Sequence, residues 1–249
     1  AATPGEAAAA ADLAISFVAN DVALEAVTDG VDGLLAGLPP GGRHVSMSSV
    51  SPALVSRLAA EHREAGVTLL SAPVFGRPEA AAKGLLWIAL SGDPPARAAV
   101  KPVLERISRS IHDFGDDPVN AISVKIAGNF LIASAIEAMS EAFAALEGLD
   151  IDARAFHDMM SETVFASVIH QNYGRIILDE AFTPPGFKLA LGGKDVNLAL
   201  GMATSAGSPM PFGEILRERF SAASDAGLGE ADWNAVSTLV RGRGALEKT

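Results

Sequence analysis

Apolar residues in the first half of the chain fall into short runs, and stretches with helical spacing separate these runs. Short runs that are apolar at nearly every position are typical of strands buried on both faces of a sheet. Their alternation with helices predicts an α/β domain with a mainly parallel sheet. The predicted strands are Leu13–Ala19, His44–Ser48, Thr68–Val74, Leu86–Ser91 and Ser110–Phe114.

Capping residues mark the helices between these strands. Asn, Asp and Ser side chains accept hydrogen bonds from the free N–H groups of a first helical turn, and proline is tolerated at the first helical position. Each of the three helical patterns begins with such a residue, and two continue with proline. The predicted helices are Asp21–Thr28, Ser51–Ala65 and Pro94–Ile107.

From about Ala121 onward the strand patterns stop. One long, alanine-rich apolar pattern covers Ala121–Glu147 and ends at Gly148. We therefore expect an α/β domain over residues 1–120 and an all-helical domain over residues 121–249. The further predicted helices are one ending near Met160, then Ser167–Glu180, Leu189–Ala206, Met210–Ala226 and Asp232–Val240.

The composition narrows the classes of function. The chain has 249 residues, of which 49% are hydrophobic and 20% charged, as in a globular protein. A net charge of -11 argues against nucleic acid and acidic membrane surfaces as partners, and no apolar run is expected to span a membrane. The chain has no cysteine, which excludes thiolate catalysis, and its five histidines show no metal-ligand spacing. No metal is expected, and a cytoplasmic location fits.

Lys125 stands near the start of the long apolar pattern, within the segment SVKIAGN. Asn129 follows four residues later, so the amine and the carboxamide share one helix face. A lysine in such a place extends to solvent, pairs with a charge, or occupies a pocket where it exchanges protons near neutral pH. Spacing alone favours the solvent-exposed lysine, with the acid/base role as the alternative.

The segment SAPVFGRP at positions 71–78 follows a predicted strand. Ligands of open α/β sheets bind at the carboxyl ends of strands. Gly76 would let backbone N–H groups approach a substrate carboxylate, and Arg77 would add a bidentate contact. Taken alone, the segment is better interpreted as a tight turn at the end of a strand.

The segment FKLALGGKDVNL at positions 187–198 enters a helix with two glycines. Lys194 and Asp195 are adjacent within it, and Lys194 would reach a negatively charged ligand. Taken alone, the segment is better interpreted as a helix start with a local ion pair.

Together, SAPVFGR, Lys-x-x-x-Asn about fifty residues later and GFKL…GGKDVNLAL resemble the β-hydroxyacid dehydrogenase family. This family includes 3-hydroxyisobutyrate dehydrogenase and tartronate semialdehyde reductase, and is related to 6-phosphogluconate dehydrogenase. FVAND at 17–21 and HVSMSSVSP at 44–52 resemble its cofactor-side strands. The resemblance implies a partial Rossmann-type, mainly parallel sheet followed by an all-helical substrate and dimerisation domain.

The resemblance implies a role for each matching residue on the substrate side. Lys125 would be the catalytic acid/base, and Asn129 its partner. Phe75, Gly76 and Arg77 stand at the substrate-loop positions, which often read Ser-Gly-Gly in the family. Because the phenylalanine and the arginine depart from that pattern, the substrates of well-known members do not transfer to this chain.

The resemblance also implies NAD or NADP as the cofactor, without a choice between the two. Val18, Ala19 and Ser49 would line the nicotinamide, with Ser49 in place of the usual threonine. Lys194, and with it Asp195, would close over the cofactor.

A G-x-G-x-x-G turn is absent from the 249 residues. In the family this turn opens the first strand–helix unit and brings the pyrophosphate to a helix N-terminus. Two expectations follow. The residues belong to a longer chain, as the lack of an initiator methionine favours, or the protein is truncated and does not bind a dinucleotide in the usual way.

The sequence therefore predicts an NAD(P)-dependent oxidoreductase that transfers a hydride between nicotinamide and a small β-hydroxyacid or its semialdehyde. One alternative is an NADPH-dependent enzyme like the imine reductases, which usually carry Asp or Tyr at the catalytic position. Another is a non-catalytic relative with a lost dinucleotide site. A helix that is apolar all round must be buried, and the family buries it by pairing subunits, so we expect a homodimer.

Overall fold

The computed structural model describes residues 1–242. The chain divides into two compact units, Ala1–Ile126 and Ala127–Thr249. The division falls inside the long helix, slightly later than the domain boundary expected at residue 121. The fold class is confirmed: a mixed α/β region with a mainly parallel sheet precedes a region built from helices.

The first unit alternates strands and helices along the chain. Its strands are β1 (Leu13–Ser16), β2 (Arg43–Ser46), β3 (Thr68–Ser71), β4 (Val74–Phe75), β5 (Leu86–Leu90) and β6 (Ser108–Asp113). Its helices are α1 (Pro4–Ala8), α2 (Asp21–Thr28), α3 (Leu34–Gly37), α4 (Pro52–Glu64), α5 (Pro78–Ala82) and α6 (Pro94–Leu104).

Two three-stranded sheets form the centre of this unit. β1, β2 and β3 are parallel, and Ser16, Ser46 and Ser71 are in register at their carboxyl ends. In the second sheet β5 pairs in parallel with β6 and antiparallel with β4. Ser71 and Ser91 exchange backbone hydrogen bonds of 3.1 and 2.9 Å and thereby join the two sheets.

The prediction of one strand over Thr68–Val74 is wrong. β3 ends at Ser71, and Val74 begins β4, which runs antiparallel to β5. Pro73 lies between them and has no N–H group to donate to a ladder, so the chain turns there. This turn directs the next residues, Phe75–Arg77, away from the first sheet.

The opening residues Ala1–Glu6 predict a helix start, which α1 confirms, whereas the short helices α3 and α5 were not predicted. α1 and α3 pack against each other where Gly37 lies so close to Gly5 that an added Cβ would stand 2.1 Å from the Gly5 carbonyl oxygen. α5 begins at Pro78 and has only five residues. Elements of this length carry too few periodic positions to be recognised from hydrophobic spacing.

The second unit is helical. The long helix α7 (Pro118–Glu147) enters it from the first unit, and its packed core is formed by buried side chains that include Phe143, Phe182 and Phe220. The further elements are α8 (Ala153–Glu162), α9 (Val168–Asp179), α10 (Leu189–Ser205), α11 (Pro211–Ala223), a π-helical turn (Ser224–Leu228) and a 3₁₀ helix (Trp233–Leu239).

α7 is long and apolar enough to cross a membrane by length and composition, against the expectation that no apolar run reaches that length. The core helix of a soluble protein has the same properties, so this is weak evidence for a membrane span. The helix carries the buried polar residues Lys125, Asn129 and Glu137. Leu131 on the same helix remains 66% exposed.

Candidate active site

Lys125 lies near the start of α7, within the first unit, and hydrogen bonds to Ser91 hold that end of the helix in place. The hydroxyl of Ser91 accepts a hydrogen bond of 3.0 Å from the Ala121 N–H and donates one of 3.1 Å to the Pro118 carbonyl. These contacts fix the turn that precedes Lys125. The side chain of Lys125 is 9% exposed, so the interpretation from spacing alone, a solvent-exposed lysine, is wrong.

The side chain of Phe75 lies against the amine of Lys125. The distance from Lys125 Nζ to the centroid of the Phe75 ring is 4.2 Å, within the range of a cation–π contact. Phe75 comes from β4, and the two residues are fifty positions apart in sequence. The structure thus brings together two of the predicted site residues within the first unit.

Gly76 and Arg77 continue the loop that follows Phe75. Gly76 has φ +145°, and a Cβ at this position would stand 2.7 Å from the Leu86 side chain. Glycine is therefore required here on two grounds, its backbone conformation and the close approach of Leu86. Arg77 is the residue before α5 and is half-buried.

Val18, Ala19 and Ser49 lie just beyond the carboxyl ends of β1 and β2. The Val18 N–H donates a hydrogen bond of 2.9 Å to the hydroxyl of Ser48, which ties the two strand ends together. Val18 and Ser49 are half-buried and Ala19 is exposed. The three residues thus lie at the carboxyl ends of parallel strands, where α/β sheets bind their ligands.

A buried polar chain begins at the same end of β1. Ser16 Oγ lies 2.8 Å from His44 Nε2, His44 Nδ1 lies 2.9 Å from His62 Nε2, and His62 Nδ1 lies 2.6 Å from the Leu58 carbonyl oxygen. Since a carbonyl only accepts, His62 Nδ1 is the donor there, and the consistent assignment makes both rings neutral. Both histidines are fully buried.

Burial determines the titration of this pair. Burial, with a smaller contribution from the neighbouring His62, lowers the pKa of His44 to about 3. Burial also lowers the pKa of His62, against smaller opposing effects of the Leu58 carbonyl, Glu61 and Asp29. No single stretch of the sequence indicated these hydrogen bonds, because Ser16, His44 and His62 come from three separate elements.

In the second unit a carboxylate joins two predicted site residues. The Asn129 amide donates a short hydrogen bond to Asp195 Oδ2, and Lys194 Nζ lies 2.9 Å from Asp195 Oδ1. Asp195 is 2% exposed and Asn129 is 5% exposed. The adjacent Lys-Asp pair in the sequence indicated the ion pair, but nothing in the sequence indicated that Asn129 binds the same carboxylate.

No group of three or more His, Asp and Glu side chains that would hold a metal ion occurs among residues 1–242. The first unit holds the buried amine of Lys125 beside Phe75, and the second unit holds the carboxamide of Asn129 against Asp195. A buried amine with a fixed neighbour is suited to proton transfer.

Fold and residues together define an NAD(P)-dependent oxidoreductase that acts on a CH–OH group. The family described as NAD binding domain of 6-phosphogluconate dehydrogenase matches residues 1–115, and that described as NAD-binding of NADP-dependent 3-hydroxyisobutyrate dehydrogenase matches residues 120–240. The chain belongs to the β-hydroxyacid dehydrogenase family, as the sequence motifs predicted, and its cofactor is NAD or NADP. The non-catalytic alternative is thereby set aside.

Individual relatives agree with this assignment. The chain is 41% identical over 239 residues to the uncharacterized oxidoreductase YfjR of Bacillus subtilis strain 168, covering 96% of this chain and 83% of the relative. It is 31% identical over 229 residues to 2-hydroxy-3-oxopropionate reductase of Escherichia coli K12, covering 91% and 77%. The crystal structure of 3-hydroxyisobutyrate dehydrogenase from Salmonella typhimurium superposes with a TM-score of 0.86 at 27% identity, covering 96% and 82%.

The residues that the family resemblance assigns to the nicotinamide end of this cofactor lie at strand ends in the first unit. Val18, Ala19 and Ser49 present small side chains at two adjacent strand ends, and the Ser48 hydroxyl holds those ends together. The 249 residues contain no G-x-G-x-x-G turn for the pyrophosphate.

Proposed function

We propose that the protein interconverts a small β-hydroxyacid and its semialdehyde, with Lys125 as the catalytic acid/base. The observation that carries the proposal is the burial of the Lys125 amine on α7 beside the substrate-loop residue Phe75. A buried amine with a fixed neighbour can hold a proton at one place, which is what transfer to a substrate oxygen requires.

The direction of the reaction sets the form that Lys125 must have. In alcohol oxidation the neutral amine accepts the proton of the substrate hydroxyl. In carbonyl reduction the charged ammonium donates that proton to the oxygen. NAD or NADP, when bound, supplies the hydride transfer itself.

Other residues would bind and orient. Asn129 follows Lys125 by one helical turn, so its carboxamide faces the same side of α7. That carboxamide donates a hydrogen bond to Asp195, which supports a fixed orientation of Asn129 toward the substrate. Gly76 and Arg77 offer a backbone N–H and a guanidinium for a substrate carboxylate.

Four residues are assigned to the cofactor in this proposal. Val18, Ala19 and Ser49 would line the nicotinamide at the ends of β1 and β2. Lys194 would contact the cofactor with its ammonium. The Lys194 side chain is 23% exposed, and its ammonium is paired with Asp195.

The names of the relatives define the substrates to try first. We propose a substrate of the kind that these names describe, a three- or four-carbon hydroxyacid or semialdehyde with one carboxylate. The assay panel is 3-hydroxyisobutyrate with NAD⁺ and NADP⁺, 2-hydroxy-3-oxopropionate with NADH and NADPH, and a cyclic imine with NADPH. Turnover of the imine alone would favour the imine reductase alternative, against which the lysine at position 125 argues.

The decisive variant is Lys125→Met, which keeps the length of the side chain and removes the amine. General acid/base catalysis contributes about 10²–10⁴-fold, so kcat should fall by that factor while circular dichroism is unchanged. Lys101→Met, on the exposed surface of α6, is the matched control and should retain full activity. Wild-type turnover by the Lys125→Met variant would end the proposal.

We also propose that the protein works as a cytoplasmic homodimer. Leu131, Phe212 and Ile215 of the second unit are 66%, 38% and 48% exposed, and exposed apolar side chains of this kind support a second copy as their partner. Light scattering at micromolar concentration tests this, and a monomer would contradict it. Cell fractionation tests the location, which the lack of cysteine supports.

A further inference from the structure

The contact between Phe75 and Lys125 has a direction. The ammonium stands over the face of the ring, 4.2 Å from the centroid, and the side chain of Lys125 is almost entirely withdrawn from water. The face of an aromatic ring carries the negative part of its quadrupole. It therefore attracts a charged ammonium and has much less attraction for a neutral amine.

The ring is held in this position by the backbone around it. Phe75 is paired in register with Trp87 of the antiparallel strand β5. The next residue, Gly76, has no room for a side chain because Leu86 lies against it. Pro78 then begins α5, so the loop has little freedom to carry the ring away.

Burial and the aromatic ring act in opposite directions on the charge of the Lys125 amine. Burial disfavours the charged form, because an ammonium loses hydration inside the protein. The ring face favours the charged form, and it does so without providing a proton acceptor. A leucine at position 75 would bury the amine to a similar degree but would lack the ring's quadrupole.

We propose that Phe75 is a positioning residue that keeps the Lys125 amine in place and extends its charged form to higher pH. In the proposed reaction this is the form that donates the proton during carbonyl reduction. The link to catalysis rests on the proposed function, whereas the effect of the ring on the amine does not. Family members with a small residue at this loop position would lack the effect.

The effect can be measured without substrate or cofactor. The chain has six lysines, so lysine labelled with ¹³C at Cε gives six resonances, and the one lost in Lys125→Met identifies Lys125. The titration midpoint of this resonance is then compared between the wild type, Phe75→Leu and Phe75→Tyr. Lys101 serves as the internal reference in each sample.

We expect Phe75→Leu to lower the midpoint of Lys125 by about 0.5 to 1 pH unit, the size of a partly desolvated cation–π contact. Phe75→Tyr keeps the ring and should leave the midpoint close to that of the wild type. Phe75→Trp provides a stronger ring and should leave it equal or raise it, which tests the proposal even if the leucine variant folds poorly. An unchanged or higher midpoint in Phe75→Leu, or a lower one in Phe75→Trp, would overturn the proposal.

Activity gives an independent second measurement. The pH at which carbonyl reduction falls to half of its maximum should move down in Phe75→Leu by the same amount as the resonance midpoint. If the midpoint moves but no variant and no wild-type sample turns over any substrate of the panel, the ring effect stands and the proposed function fails. If the wild type is active and Lys125-dependent but the midpoint does not move, the role of Phe75 fails alone.

Discussion

His44 Nδ1 lies 2.9 Å from His62 Nε2 in the interior of the first unit, and neither side chain is exposed. Their hydrogen bond links the middle strand β2 to α4 and continues to Ser16 at the carboxyl end of β1. Two neutral rings satisfy every hydrogen bond of this arrangement, two protonated rings would present donors to each other, and burial lowers the pKa of both histidines.

This relationship predicts that the first unit loses stability in mild acid. Both folded pKa values are lowered, that of His44 to about 3, while an unfolded histidine titrates near 6.5. Below about pH 6.5 the unfolded chain binds protons that the folded chain does not. The contribution of the two histidines to the free energy of unfolding is therefore fully present above that pH and decreases as the pH falls below it. Each histidine contributes a slope of up to about 1.4 kcal/mol per pH unit.

Urea unfolding at pH 7 and pH 5 measures this slope. In His44→Asn the free energy of unfolding at pH 7 should fall by about 1–3 kcal/mol, because buried partners lose their hydrogen bonds, and the pH slope should flatten. His112→Asn removes an exposed histidine of β6 and should keep the wild-type slope. The same slope in all three proteins would contradict the assignment.

A second prediction concerns Asp195, which binds both Asn129 and Lys194. Asp195→Asn places an amide group opposite the Lys194 ammonium and removes the negative charge. Because Lys194 is partly exposed, the loss should be smaller than for a fully buried pair, about 1–3 kcal/mol of unfolding free energy. kcat should also fall, since the new side chain has one acceptor oxygen for two donors, Asn129 and Lys194, and no charge, and so holds Asn129 more weakly.

Glu230→Gln is the matched control for this substitution. This substitution breaks the ion pair between Glu230 and Lys188. Because the Glu230 side chain is 82% exposed, the loss of unfolding free energy should be less than about 0.5 kcal/mol. Chemical denaturation of the two variants compares them directly. Equal losses would show that the buried position of Asp195 has no special weight.

A third prediction concerns Arg219, which donates a hydrogen bond of 2.6 Å to the buried carboxylate of Glu137. Burial raises the pKa of Glu137 more than Arg219 lowers it, so the folded state keeps a proton on this carboxyl to higher pH than the unfolded chain does. Stability linked to this group is therefore present at low pH and lost as the pH rises through the folded pKa. Without the arginine, that loss becomes larger.

Arg219→Met should accordingly destabilise the protein by about 2–3 kcal/mol at pH 7.5, below the value for a fully buried pair because Arg219 is 26% exposed. The difference from the wild type should shrink at pH 5. Arg217→Met on the same helix breaks only an exposed pair with Glu214 and should change stability by less than about 0.5 kcal/mol. A loss that is larger at pH 5 than at pH 7.5 would refute the assignment.

Two helical glycines provide a fourth prediction with opposite signs. A Cβ on Gly174 would stand 2.3 Å from the ring of the buried His157, whereas a Cβ on Gly201 would meet nothing within 4 Å. Gly174→Ala should cost about 1–3 kcal/mol through overpacking. Gly201→Ala should stabilise α10 by about 0.5–1 kcal/mol, because alanine loses less backbone entropy.

Thermal unfolding of the two variants is the measurement. The midpoint temperature should fall for Gly174→Ala and rise for Gly201→Ala. Shifts of the same sign would show that the packing of α8 against α9 does not depend on the missing Cβ.

Helix starts were predictable because their signals are local. Asn20 accepts a hydrogen bond of 2.9 Å from Ala23, Ser51 one of 3.1 Å from Leu54, and Asp93 one of 3.1 Å from Ala96. Each of these bonds joins residues three positions apart, so the capping side chain and the N–H group that donates to it lie in a single short segment. The antiparallel β4 was not predictable in this way, because its partner β5 lies beyond a turn and a helix.

The site residues divide along the same line. The adjacent positions of Lys194 and Asp195 indicated an ion pair. The hydrogen bond from Asn129 to Asp195 was not predictable, because it joins residues 66 positions apart. The family resemblance assigned both Lys125 and Phe75 to the site. It did not predict a contact between them, because the family often has a small residue at the position of Phe75.

The sequence by itself determined the class of fold, the helix starts and the family, because periodicity, capping and motif order are properties of the linear chain. The tertiary structure alone decided the surroundings of Lys125. The same helical spacing suits a lysine in water or one in the interior, and only the packing of β4 against β5 places an aromatic ring over its amine. Burial and the ring, which act on the charge in opposite directions, are both consequences of contacts between residues far apart in sequence.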